Sequence, residues 1–182
     1  MPDHFTDQLA PLPALTAAAM ATSTLRIGAL VWDNDYKHPV VFAKEMATLD
    51  VLSDGRLDLG IGAGWMITDY EQSGIPYESA GTRIDKMIEG IDIMKGCFAQ
   101  GPFSYAGKHY TITNYNGMPK PVQGSCPPIL IGGGGKRVLT YAAKVADIVG
   151  INATMSAGAV GPEAISTMTA EAVDAKVDIV RE

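Results

Sequence analysis

The chain has 182 residues, 47% of them hydrophobic and 19% charged, with a net charge of −6 from 14 basic and 20 acidic side chains. That balance suits one globular domain over residues 1–182 and leaves no basic stripe of the kind a nucleic-acid partner needs. No apolar run approaches a membrane span and Met1-Pro2-Asp3-His4 is no signal peptide, so a soluble cytoplasmic protein is expected.

In chain order, Leu12 to Ala21 reads as an alanine-rich helix opened by prolines, and Leu25 to Val31 as a strand. Pro39 to Leu52 reads as a helix with Phe42, Met46, Leu49 and Leu52 on one face, ended by the Ser53-Asp54-Gly55 turn. Leu57 to Ile61 is a second strand, running into Gly62-Ala63-Gly64-Trp65. The stretch from there to Ala80 is too polar to assign.

Thr82 to Phe98 is the clearest helix, with Ile84, Met87, Ile88, Ile91 and Met94 as its apolar stripe. Arg83 and Glu89 on it read as an ion pair or a solvated face. Phe103 to Ile112 reads as a hairpin around Ala106-Gly107-Lys108, with His109 on its surface, and Pro119 to Pro128 as a rigid connector. A strand at 129–131, a helix at 136–145, a strand at 147–151 and a helix from near Pro162 complete the chain. Cys97 and Cys126 have no metal-ligand spacing and are expected as reduced thiols.

Strands alternating with helices imply an α/β fold with a parallel sheet. A doubly wound sheet and a (β/α)8 barrel both fit, and four or five strands are too few to close a barrel of about 250 residues.

The strongest functional motif is Ile129-Leu130-Ile131-Gly132-Gly133-Gly134-Gly135-Lys136-Arg137, a buried strand, four glycines and then a helix. This order sets free backbone N–H groups and a helix dipole where a phosphate can sit, with Lys136 and Arg137 adding charge. Four consecutive glycines cost more conformational entropy than a simple turn requires.

Taken together, Asp3-His4-Phe5, His38-Pro39, Ala47 to Leu57 (ATLDVLSDGRL), Gly60-Ile61-Gly62-Ala63-Gly64-Trp65 and the glycine-rich 129–135 segment resemble the bacterial-luciferase-like superfamily, and within it the deazaflavin-dependent oxidoreductases. The resemblance runs along the whole chain with the motifs in the family's order. It implies an incomplete (β/α)8 TIM barrel. Asp3-His4-Phe5 is similar to the end of the family's second strand, so the first strands and the last two, seven and eight, are expected to be missing. A truncated gene, a fragment or a misplaced start is the expected reason. The strands at 25–31 and 147–151 would then expose pairing edges and favour a homodimer or other self-association.

The resemblance also assigns the site. It places Asp3 and His4 beside the ring of a flavin-type cofactor, His4 serving as proton donor or acceptor; the competing reading is an exposed histidine in a frayed terminus. His38 reads as structural. The family carries a non-proline cis peptide at the end of the 25–31 strand, which falls here at Leu30–Val31. Asp33 and Asn34 fit either a pocket lining or a solvated loop. Gly62 and Gly64 would let a planar ring approach the backbone, and Trp65 fits either a pocket wall or a core. Gly132, Gly133, Gly134, Gly135 and Lys136 would hold the phosphate. No metal site is expected.

Three functions follow. The first is an oxidoreductase moving a hydride between the deazaflavin coenzyme F420 and a small organic substrate, and the second an FMN-dependent monooxygenase. The third is a truncated, catalytically inactive barrel fragment.

Overall fold

A computed structural model describes all residues, 1–182. Its centre is a parallel four-stranded sheet of β1 (Trp32–Asp33), β2 (Leu59–Gly62), β5 (Ile129–Gly133) and β6 (Ile148–Ile151), in the order β1-β2-β5-β6. Around it lie α1 (Pro11–Ala21), α2 (Pro39–Leu52), α3 (Ile67–Ser73), α4 (Ala80–Phe98), α5 (Lys136–Val145), α6 (Pro162–Ser166) and α7 (Ala170–Arg181). An antiparallel hairpin of β3 (Phe103–Ala106) and β4 (Thr111–Tyr115) stands apart from the main sheet. The sheet is open, with β1 and β6 at its edges.

Helix boundaries follow local chemistry. Pro39 occupies the first turn of α2, and the His38 ring accepts from the Val40 amide at 3.3 Å, a structural cap as expected. Beyond the last turn, Asp54 and Gly55 take φ of 54° and 73°, which turns the chain toward the sheet. Ser79 caps α4 by accepting from Thr82 N–H at 3.1 Å. The apolar faces of α2 and α4 pack on each other and on the sheet in one core of 23 buried residues, with β2 buried along its whole length.

Two buried polar groups tie loops to this core. Asp50, fully buried, accepts from the Val122 and Gln123 amides at 2.8 and 3.2 Å and from Gln123 Nε2 at 2.6 Å, which pins the proline-rich connector. Glu89 accepts from the amides of Lys108, His109 and Tyr110, closing the hairpin turn onto α4.

The strand expected over 25–31 is reduced to a single bridge, Ile27 with Leu57, and regular pairing begins only at Trp32. Leu30 N–H is taken by Met1 C=O at 2.8 Å instead of a ladder partner, and the Leu30 side chain is 61% exposed. The edge on that side is therefore partly occupied by the N-terminal residues, whereas β6 leaves Ile148 exposed at the opposite edge. The polar stretch before Ala80 contains α3. His109 is half-buried rather than on the surface: its side chain is 13% exposed, with Nε2 4.0 Å from the Asp85 carboxylate and without a hydrogen bond. The final helix is broken at 167–169, where Thr169 caps α7. Cys97 and Cys126 are free thiols. No helix is long and apolar enough to cross a membrane.

Candidate active site

A cavity of about 590 Å³ opens at the C-terminal ends of all four parallel strands. Asp33 lines it from β1, Gly62 to Trp65 from the end of β2 and the loop beyond it, Gly132 to Gly135 from the end of β5 and its loop, and Ile151 to Ser156 from the end of β6 and its loop. Asp3 and His4 enter from the N-terminal segment, Arg83 and Ile84 from α4. Parallel strands place all these loops at one end, so residues 150 positions apart meet in one space.

Of the residues expected from sequence, Asp3, His4, Leu30, Val31, Gly62, Gly64, Trp65 and Gly132 to Gly135 all line this cavity. The Leu30–Val31 peptide bond is cis. Trp65 stands at the wall, its ring 5.4 Å from the His4 ring in an edge-on arrangement. Asp33 belongs to the lining, whereas Asn34 is buried against Gly90 of α4.

Lys136 is the exception: it is exposed and lies outside the lining. At the start of α5, Gly135 and Val138 face the cavity, and the helical repeat turns 136 and 137 to solvent. Arg137 is spent on α4, pairing with Asp85 and donating to Gly81 C=O at 3.0 Å.

The glycine loop has the shape an anion needs. The first backbone bond of α5 runs from Leu139 N–H to Gly135 C=O at 3.1 Å, so the three amides before it donate to no backbone acceptor. Gly135 has open space where a side chain would stand; at Gly134 a Cβ would run into the carbonyl of Ala153. Glycine here thus keeps the cavity open and lets the β6 loop pack close.

Sequence reasoning missed two residues. Arg83 makes no ion pair with Glu89; its buried guanidinium donates to the carbonyls of Ala63 at 3.2 Å, Gly64 and Glu78, and lies 4.2 Å over the Tyr77 ring. A buried cation with only neutral partners, lining a cavity, suits an anionic ligand group. The signal was available, because Arg83 shares a helical face with Met87, Gly90 and Met94 rather than with the polar side.

The second is Asp69 of α3, 3% exposed, which accepts from His4 Nδ1 at 2.7 Å, Tyr36 OH at 3.0 Å and the Phe5 amide at 3.2 Å. This bond holds the proton on Nδ1 and leaves Nε2 of His4 free of protein partners. No periodicity marked Asp69, because it lies in the segment that carried no pattern.

The neighbouring carboxyls are desolvated. Burial pushes Asp33 up to about 7, against the bonds it accepts from the Asp35 amide and Tyr70 OH. Burial likewise raises Asp3 and Asp35, and burial together with Asp33 raises the phenols of Tyr36 and Tyr70. No cluster of side chains suits a metal ion.

A cavity built from the loops after parallel strands is the site plan that doubly wound sheets and (β/α)8 barrels share. The chain belongs to the luciferase-like monooxygenase family, whose model matches residues 1–180. It is 30% identical over 131 residues to the FMNH(2)-dependent dimethylsulfone monooxygenase of Pseudomonas putida, covering 72% of this chain and 36% of that protein. Its fold superposes on the coenzyme F420-dependent tetrahydromethanopterin reductase of Methanopyrus kandleri with a TM-score of 0.75 and 26% identity, over 84% of this chain and 46% of that one. An F420-dependent secondary alcohol dehydrogenase gives a TM-score of 0.78 at 21% identity, over 99% of this chain and 54% of that one. The chain therefore spans about half the length of these relatives, or less, and matches their barrel as a partial, open sheet.

Proposed function

We propose that the cavity binds a phosphate-bearing, flavin-type coenzyme, and that the chain serves an oxidoreductase moving a hydride between coenzyme F420 and a small organic substrate. The observation that carries this reading is the meeting of an oriented histidine with an anion cradle in one cavity: His4 held by Asp69, facing the glycine loop and buried Arg83.

When bound, the coenzyme supplies the hydride chemistry. The chain's own residues bind, orient and move a proton. The free α5 amides and the Arg83 guanidinium hold the phosphate, and they adjoin because Arg137 ties the start of α5 to Gly81 of α4. Val31, Ile84, Val138 and Ile151 give the ring an apolar bed. His4 Nε2 exchanges a proton with the substrate oxygen, and Asp69 fixes the tautomer that allows it.

An FMN-dependent monooxygenase is the second reading, favoured by the 30% identity to the Pseudomonas enzyme. Fluorescence titration of the purified chain with F420 and with FMN separates the two. Saturable binding of F420 with no binding of FMN supports the hydride-transfer reading, and preference for FMN replaces it with the monooxygenase. If folded protein binds neither coenzyme, the 182-residue chain does not form the site by itself, which is the inactive-fragment reading.

A further inference from the structure

We propose that Lys176 is a positioning residue that fixes the cavity wall formed by residues 152–156, and through it the glycine loop; that this wall faces a coenzyme rests on the function proposed above. Lys176 lies on α7 on one face with Val173, Val177 and Val180, where an apolar residue would be ordinary. Its side chain is buried, and no carboxylate lies within ion-pair distance. The ammonium donates instead to two backbone carbonyls, Asn152 at 2.7 Å and Thr167 at 2.8 Å, with Met168 Sδ at 3.9 Å.

These two carbonyls bracket the loop. Asn152 is the first residue after β6, and Thr167 is the C-cap of α6. Between them run Ala153, Thr154, Met155 and Ser156, which form one side of the cavity. Thr154 carries the connection inward. Its amide donates to Thr167 Oγ1 at 2.8 Å and its hydroxyl donates to Gly134 C=O at 3.0 Å. One buried cation thus joins both ends of the wall, and the wall is bonded directly to the glycine loop. Farther along, Gly158 C=O accepts from Ile67 N–H at 3.0 Å and anchors the segment beside Trp65.

Burying an ammonium against neutral carbonyls is a poor way to gain stability alone, since the desolvation is only partly offset. Consistent with that, burial lowers the Lys176 pKa with no acidic neighbour to restore it. What the arrangement does supply is a fixed geometry for two carbonyls that no apolar side chain could hold.

The test compares Lys176→Met, Lys176→Arg and Thr154→Val with the wild-type chain, reading amide hydrogen exchange over residues 152–158 and the Kd for F420 and FMN. In Lys176→Met the exchange of 152–158 accelerates at least about tenfold while β2 and β5 keep their protection. The Kd rises about tenfold. Lys176→Arg restores both, and Thr154→Val raises the Kd by a similar factor. Unchanged exchange in Lys176→Met overturns the proposal, as does faster exchange with an unchanged Kd. Should Lys176→Met fail to fold, Lys176→Gln is read in the same way. If the wild-type chain binds neither coenzyme, the proposed function fails, and the exchange measurement alone decides the role of Lys176.

Discussion

His4 Nδ1 lies 2.7 Å from Asp69 Oδ2, and the carboxylate at the far side of that bond is almost completely buried. The two residues are 65 positions apart, one in the irregular N-terminal segment and one on a short helix. The bond both anchors the terminus and decides which imidazole nitrogen faces the cavity. Replacing Asp69 by Ala is therefore expected to convert His4 from the Nδ1–H form to a tautomer mixture, read by ¹⁵N NMR of the ring. Loss of the acceptor for Tyr36 and the Phe5 amide also lowers stability by about 1–3 kcal/mol. In a reconstituted reaction, His4→Ala and Asp69→Ala each lower turnover about 10²-fold or more, and the double variant loses little beyond His4→Ala.

Arg83 has neutral partners only, so its charge is available to a ligand. Arg83→Met is expected to weaken coenzyme binding roughly 10- to 100-fold in the fluorescence titration, the range of one or two charge-assisted hydrogen bonds. Arg83→Lys recovers only part of this, because the planar guanidinium also stacks over Tyr77 at 4.2 Å.

The four glycines are not equivalent. At Gly135 a Cβ meets nothing within 4 Å, whereas at Gly134 it meets the Ala153 carbonyl. Gly135→Ala is expected to melt within a degree or two of wild type. Gly134→Ala must displace the β6 loop and costs about 1–3 kcal/mol, visible as a lower Tm. A similar loss in both variants would contradict this packing.

Asp33 makes stability depend on pH. Its folded pKa, about 7, exceeds the ordinary value of 3.8, so the folded chain binds a proton that the unfolded chain releases between them. The stabilisation it contributes is complete below the ordinary value and is lost as pH rises toward 7. Asp33→Asn, which stays neutral, is expected to gain on wild type across that window by an amount on the order of a few kcal/mol, then run parallel above it. Urea unfolding at a series of pH values reads the difference directly.

Much of the fold was legible from periodicity and punctuation. α2 and α5 begin and end where the apolar spacing, Pro39, the Ser53-Asp54-Gly55 turn and the glycine run placed them. Strand limits were less legible, because pairing partners set them: the 25–31 segment has strand composition, yet Met1 takes the Leu30 amide. The glycine motif was legible from its residue types alone, whereas Asp3, His4 and Trp65 were singled out by their resemblance to the family's motifs; all of them line the cavity.

The sequence by itself therefore determined the α/β plan and the glycine loop at a helix N-terminus, which rest on residues adjacent in the chain, and the family, which rests on short local motifs in a fixed order along it. Only the tertiary structure decided that Asp69 lies against His4, that buried Arg83 and not exposed Lys136 lines the cavity, and that Lys176 bonds to the carbonyls of Asn152 and Thr167. Each of these depends on hydrogen bonds between segments distant in sequence, and on which face of a helix is shut off from water. Burial and proximity of that kind arise only when the strands are packed side by side.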